Sequence, residues 1–192
     1  MAQRYRKKGL DKTARRMVEF LDQAGIEGAT VLEIGGGVGE IQLELLKRGA
    51  AHTMNLELSP AYEEEAERLL REEALEDRAE RRLHDIAVNP EAVEAADIVV
   101  LHRVVCCYPD YEHLLGAAAE RTRHLLVFSY PPRNAVSRFL VSAMNFGYRM
   151  FRKEFRSFTH PPSAMLRVLG ERGLRRTFAH HAPVWQIAGL ER

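Results

Sequence analysis

The stretch Val31-Leu32-Glu33-Ile34-Gly35-Gly36-Gly37-Val38-Gly39-Glu40 combines an apolar run, a carboxylate and glycines at positions 35, 37 and 39. A strand that delivers its end to a turn without side chains lets a ligand lie against bare backbone. A pyrophosphate site needs the spacing G-x-G-x-x-G, and here Glu40 stands where that pattern requires a small residue. Carboxylates at Glu33 and Glu40 would also repel a pyrophosphate. These residue types instead suit a nucleoside with a cationic tail, which Glu33, Gly35, Gly37 and Gly39 would seat. Glu57 closes the next apolar run, where a nucleoside-binding sheet places the acid that bridges the ribose hydroxyls. Asp85 lies in a third run, residues 82–86, and can accept from an adenine amino group. Leu58 and Ile86 are the apolar neighbours expected for the base.

A second partner would meet the tail at the end of a fourth run, residues 96–101. His102 and Arg103 follow it directly, and strand-end residues of open α/β sheets face the ligand crevice. His102 either contacts the acceptor, as a contact or a base, or is an ordinary hydrogen-bonded histidine. Arg103 either pairs with an acceptor carboxylate or holds an acid on a neighbouring loop. Tyr108 either shapes the acceptor pocket or packs in the core, and Tyr111 is assigned to helix packing. The adjacent Cys106 and Cys107 read as small core residues rather than a nucleophile pair. His160 orders the turn before the last helix or reaches the acceptor side, and His180 and His181 alternate across a strand, which is no metal pair. No metal is expected.

These groups need a sheet to position them. Leu10, Ala14, Met17, Val18 and Leu21 recur at helical spacing, so residues 11–24 are predicted to form an amphipathic helix capped by Asp11 and stopped by Gly25. Residues 1–9 are polar and basic and are expected to be mobile, folding over the ligand. A helix over 38–48 and a strand over 51–56 follow the glycine turn, and Ser59-Pro60 opens another helix. Strand and helix alternate from 29 to 130, the mark of a parallel sheet with crossover helices. A strand over 125–130 ends at Pro131-Pro132, beyond which 134–153 has a broad apolar arc at helical spacing, with Gly147 as a bend or break. This segment is either an acceptor lid or a helix packed on the sheet. Residues 163–169 form a last helix, and strands over 175–182 and 184–190 must run antiparallel because their connection is short.

The 192 residues suffice for one domain, with an N-terminal helical part (1–24) and a helical insertion (133–160). Hydrophobic residues make up 46%, yet no apolar run approaches the roughly 20 residues of a membrane span. The start of the chain lacks an apolar signal core and the two cysteines are adjacent, so a reducing cytoplasm is the expected location. The formal charge of +1 conceals an acidic first half and a basic second half. Between Arg121 and Arg176 there are 12 basic residues against the acids Glu154 and Glu171. That stretch is either a solvated face or a surface that attracts an anionic small molecule or a negatively charged membrane. It contains no recognised nucleic-acid module.

Residues 29–130 resemble the class I S-adenosylmethionine-dependent methyltransferases. Residues 33–39 match that family's first motif, Glu57 its ribose acid and Asp85 its adenine acid. The run 96–101 with His102-Arg103, and 125–130 with Pro131-Pro132, match its fourth and fifth strands. The fifth-strand segment and Cys107-Tyr108-Pro109 also resemble the magnesium-protoporphyrin O-methyltransferase group. The resemblance implies an α/β fold: a Rossmann-like, seven-stranded, mostly parallel sheet with an antiparallel last strand and helices on both faces. It implies S-adenosyl-L-methionine as cofactor and methyl transfer as the reaction, and taken together with the basic second half it points to O-methylation of a small or medium-sized, anionic acceptor. The rival readings are an RNA or protein methyltransferase, a non-catalytic binding module and an NAD-dependent oxidoreductase. Ser129-Tyr130-Pro131-Pro132 superficially resembles the motif of base-amine methyltransferases, but it follows the fifth rather than the fourth strand, which disfavours that activity.

Overall fold

The computed structural model describes residues 2–150 and 156–192. Helices α1 (Ala2–Lys8) and α2 (Lys12–Ala24) lead into β1 (Thr30–Ile34), α3 (Glu40–Lys47) and β2 (His52–Glu57). A 3-10 turn at Pro60–Tyr62 opens α4 (Glu63–Glu72), followed by β3 (Ala79–Leu83) and β4 (Ala96–Leu101). Next come α5 (Tyr111–Glu120), β5 (Thr122–Tyr130), α6 (Ala135–Met150), α7 (Pro162–Glu171), β6 (Arg175–His180) and β7 (Gln186–Glu191). The strands form a seven-stranded sheet in the order β3-β2-β1-β4-β5-β7-β6. Strands β1 to β5 pair in parallel, and β7 runs antiparallel to both β5 and β6. This is the Rossmann-like sheet with one reversed strand that the sequence indicated.

Alternation along the strands divides the core in two. Val31, Ile98, Val100 and Val127 face α2 and α3, packing with Met17, Val18, Leu21 and Leu45. Leu32, Val99, Leu101 and Phe128 face the other way, against Leu115 and Ala118 of α5 and Val168 and Leu169 of α7. The chain starts at β1, steps outward through β2 to β3, then returns to β4 on the opposite side of β1. The carboxyl ends of β1 and β4 therefore diverge into a crevice, the place where open α/β sheets bind ligands.

Several local expectations change. The stretch 1–9 is not loose: α1 forms over Ala2–Lys8, with Tyr5 buried and its hydroxyl donating to Glu44 Oε1 at 2.6 Å. Arg6 is clamped by Glu72 at 2.7 Å and Glu65 at 3.2 Å on α4. An arginine on a short, acid-free helix found partners that lie more than fifty residues away, beyond the reach of a local pattern. Strand β3 ends at Leu83, so the third strand lies three residues upstream of the expected run and Asp85 sits in the loop after it. The charged sequence Ala-Glu-Arg-Arg-Leu has no apolar alternation and pairs only with β2, as an edge strand can. Helix α6 passes through Gly147 without a break, and the remainder of the expected helix, 151–153, lies outside the described residues.

Candidate functional site

A cavity of about 580 Å³ opens at the carboxyl ends of β1, β2 and β4 and the loop after β3. Glu33, Gly35, Gly37, Glu57, Leu58, Asp85, Ile86, His102, Arg103 and Tyr108 all line it. Residues predicted from four separate segments thus meet around one space. Gly39 does not line it: this residue caps α3 with a φ of 78°, and a Cβ there would lie 2.8 Å from Gln42 Oε1.

The glycine turn is constrained on both sides. Gly35 and Gly37 have φ of 65° and 57°, the left-handed region that L-side chains rarely occupy. A Cβ on Gly35 would come within 2.6 Å of Val104 Cγ2, and one on Gly36 within 2.7 Å of Glu33 Oε2. Bare backbone is therefore required where the turn passes between the β4 loop and the carboxylate of Glu33.

Glu33 is 1% exposed. Its Oε2 accepts from Gln42 N at 3.1 Å and Asn55 Nδ2 at 3.3 Å. Burial pushes this carboxyl up to about 8, against the Gln42 N–H and the Arg81 charge, while Glu40 and Glu57 add to the rise. Glu33 thus supports the turn from beneath and carries a proton that a nearby cation could displace.

Glu57 is tied by three backbone donors. Its Oε1 accepts from Leu58 N at 2.8 Å and Ser59 N at 3.0 Å, and Oε2 from Gly37 N at 2.9 Å. With two lone pairs on each oxygen, Oε2 retains one for a ligand hydroxyl. The acid links the end of β2 to the glycine turn and presents itself to the cavity at once. Exposed Leu58 and buried Ile86 line the same cavity as Asp85. Asp85 accepts from Ala87 N at 3.0 Å and from Tyr108 Oη at 2.9 Å.

Sequence reasoning missed Arg81. Its side chain is 6% exposed on edge strand β3, and its Nη2 donates to Gly37 O at 2.8 Å and to Glu63 Oε1 at 2.8 Å. The residue reaches across β2 to hold the carbonyl of the glycine turn. An arginine placed in an otherwise apolar-poor strand two residues before its end was the available signal.

The β4 mouth is equally tied. Ser129 Oγ accepts from Arg103 N at 2.9 Å and lies 3.0 Å from His102 Nδ1. With the serine proton on Nδ1, the imidazole presents Nε2–H to Asp11 Oδ2, 3.6 Å away. At 3.6 Å from Asp11, Nε2 is beyond hydrogen-bond distance, so Ser129 alone fixes the ring. Arg103 meets a neighbouring acid, one of its two readings: Nη2 lies 2.7 Å from Asp11 Oδ2, with the guanidinium 4.9 Å from the Trp185 ring. Its φ of 60° is strained for a side-chain-bearing residue, and Nε is buried without a partner. Asp11 also caps α2 through Thr13 N and Ala14 N. Burial opposes ionisation of Asp11, but His102, the Ala14 N–H and Arg103 hold its carboxyl well below the usual range.

Tyr108 is pushed up to about 12 by burial, the hydrogen bond to Asp85 and that acid's charge. It keeps its proton at neutral pH and fixes Asp85. Cys106 is buried as expected, but Cys107 is exposed and lines the cavity, a departure from the core role read for both. The one-turn geometry at 105–107 turns only one of two consecutive side chains inward. His160 Nε2 lies 3.0 Å from Tyr108 O, and Phe158 N donates to Cys106 O at 2.7 Å, so the segment after α6 is fastened to the cavity rim. Tyr111 packs against the core beneath α5, and its ring also meets His160 with centroids 4.6 Å apart.

Acids at the ends of β1 and β2 and in the loop after β3, with bare backbone between them, line a cavity of the size that takes a small organic ligand. Comparison with known proteins specifies the class. The family model described as "Methyltransferase domain" matches residues 3–177. The chain belongs to that family and is an S-adenosylmethionine-dependent class I methyltransferase. No curated protein matches the sequence. Among solved structures, magnesium protoporphyrin IX methyltransferase from Synechocystis PCC 6803 with bound SAH is similar at a TM-score of 0.77, with 18% identity over 94% of this chain and 82% of that one. An O-methyltransferase family protein from Burkholderia thailandensis gives 0.75, with 20% identity over 94% of this chain and 56% of that one. A geranyl diphosphate C-methyltransferase from Streptomyces coelicolor A3(2) gives 0.74, with 15% identity over 93% and 79% of the two chains.

Proposed function

We propose that the cavity binds S-adenosylmethionine with its adenosine across Glu57 and Asp85, and transfers the methyl group to a small or medium-sized anionic acceptor, with O-methylation favoured. The observation that carries the reading is the convergence of Glu33 and Glu57 from two strand ends and Asp85 from the loop after β3 on one cavity that His102, Arg103 and Tyr108 also line. When bound, the cofactor supplies a sulfonium methyl open to in-line displacement. The chain's own work is to hold the partners collinear and dry, an effect able to contribute about 7–11 kcal/mol.

In this placement Oε2 of Glu57 receives a ribose hydroxyl, and Asp85, oriented by Tyr108, receives the adenine amino group between Leu58 and Ile86. The glycine turn and the charge of Glu33 face the amino-acid tail. An acceptor already ionised, such as a carboxylate, needs no side-chain base. Arg103, whose side chain is 37% exposed and lines the cavity, supplies the cation that recognises such an anionic acceptor. The structurally similar proteins named for magnesium protoporphyrin IX and geranyl diphosphate support a small-molecule acceptor.

Calorimetry with S-adenosylhomocysteine on the wild type and Glu57→Ala tests the placement. The substitution should weaken binding by about 1.5–3 kcal/mol, the scale of hydrogen bonds to a charged group. Unchanged affinity would show that the ribose lies elsewhere. Transfer of a labelled methyl group into small molecules of a cell extract, rather than into its RNA or protein, supports the acceptor class.

A further inference from the structure

Helix α6 turns apolar side chains outward. Phe139 is 73% exposed, Phe146 64% and Met150 63%, and Ala143 is exposed between them. Their spacing of four, three and four residues places them in one stripe along the helix. The opposite side is the one that meets the protein: Asn145 exchanges two 2.8 Å hydrogen bonds with the backbone of Ser157. A stripe of large apolar groups facing water is the feature of a surface that has a partner.

The charge around the stripe identifies that partner. Residues 131–155 contain the basic residues Arg133, Arg138, Arg149, Arg152 and Lys153 against the single acid Glu154. Arg133, Arg149 and, just beyond, Arg156 are exposed. A second copy of this chain would bring the same cations against themselves, whereas an anionic bilayer complements them and accepts the apolar stripe. Among the described residues no helix is long and apolar enough to cross a membrane, so α6 would lie in the interface plane. We infer that α6 docks the enzyme on an anionic lipid bilayer, with Phe139, Phe146 and Met150 entering the boundary between headgroups and acyl chains.

The docking face is mechanically joined to the active site. Asn145 holds Ser157, Phe158 N holds Cys106 O, and His160 holds Tyr108 O on the cavity rim. A bilayer against α6 is therefore linked, through the segment 157–160, to Tyr108 in the cavity lining. The docking stands apart from the proposed cofactor placement, which uses none of the stripe residues.

The test is co-sedimentation of the purified full chain with vesicles of phosphatidylcholine alone and with 30% phosphatidylglycerol (on the order of the anionic fraction of cytoplasmic leaflets). The wild type should bind the anionic vesicles at least tenfold better than the neutral ones, and 0.5 M salt should remove most of that preference (a Debye length of roughly 4 Å). Phe139→Ser with Phe146→Ser should lower binding at least fivefold while leaving S-adenosylhomocysteine affinity and melting temperature unchanged, since both rings are exposed. Equal binding by variant and wild type, or no binding to anionic vesicles, would overturn the inference. A concentration-dependent dimer abolished by the same double substitution, without vesicle binding, would assign the stripe to a second copy and overturn it too. Loss of cofactor affinity through Glu57→Ala with vesicle binding intact separates the two proposals.

Discussion

Glu33 concentrates the residue-scale physics of the site. Its carboxyl titrates near 8 in the folded chain because it is buried, whereas the unfolded group titrates near its ordinary 4.5. The folded protein therefore holds a proton that the unfolded chain releases, and the resulting stability is full below about pH 4.5 and is lost as pH rises through about 8. Between pH 6 and pH 9 the wild type should lose about 2 kcal/mol more than Glu33→Gln, a difference of roughly 4–8 °C in melting temperature for a chain of this size. Parallel curves for the two proteins would remove the buried proton from the account. The same proton predicts its own release when a cationic ligand arrives, so calorimetry of S-adenosylmethionine near pH 7 in buffers of different ionisation enthalpy should show release rather than uptake. His102 gives a separate outcome: His102→Ala should lower turnover more than cofactor affinity, and equal losses would mark it as structural. The sequence disclosed that Glu33, Glu57, Asp85 and His102 would meet one space. It did not disclose what ties them, because Asp11, Ser129 and Gln42 reach them through tertiary contacts that follow no local period.

At the scale of elements, the glycine turn depends on a strand that does not touch the ligand. Arg81 on β3 holds Gly37 O and Glu63 together, so the edge strand clamps the loop across β2. Arg81→Met keeps the apolar stem but removes the fork; it should lower stability by about 1–3 kcal/mol by leaving Glu63 and a buried carbonyl short of a donor. S-adenosylhomocysteine affinity should fall at least fivefold with it, measured by calorimetry at a temperature where the variant is fully folded. Full affinity in a destabilised variant would limit Arg81 to a structural role. Helix α2 was legible from its cap, stripe and stop, because Asp11, the apolar residues and Gly25 are all local signals. Strand β3 was misplaced by three residues for the opposite reason: an edge strand rich in Glu and Arg has no alternation to read, and the adjacent apolar Ile86 drew the boundary toward the ligand. Helix α1 was missed because its stability comes from Glu44, Glu65 and Glu72 on elements that follow much later.

At the scale of the whole molecule, the sheet order places one switch point between β1 and β4, and every candidate cofactor group except Gly39 lies around it. This much was readable from strand and helix alternation, since parallel pairing and crossover helices leave few alternative topologies. The basic second half was visible as a count, but only the packing of α6 shows which cations accompany exposed apolar groups. The most direct measurement is a crystal structure of the complex with S-adenosylhomocysteine. The expected density has the ribose on Glu57 Oε2, the adenine edge at Asp85 and the amino-acid tail along Gly35–Gly37. Density for a dinucleotide in that space, or an adenosyl group bound away from the three acids, would contradict it.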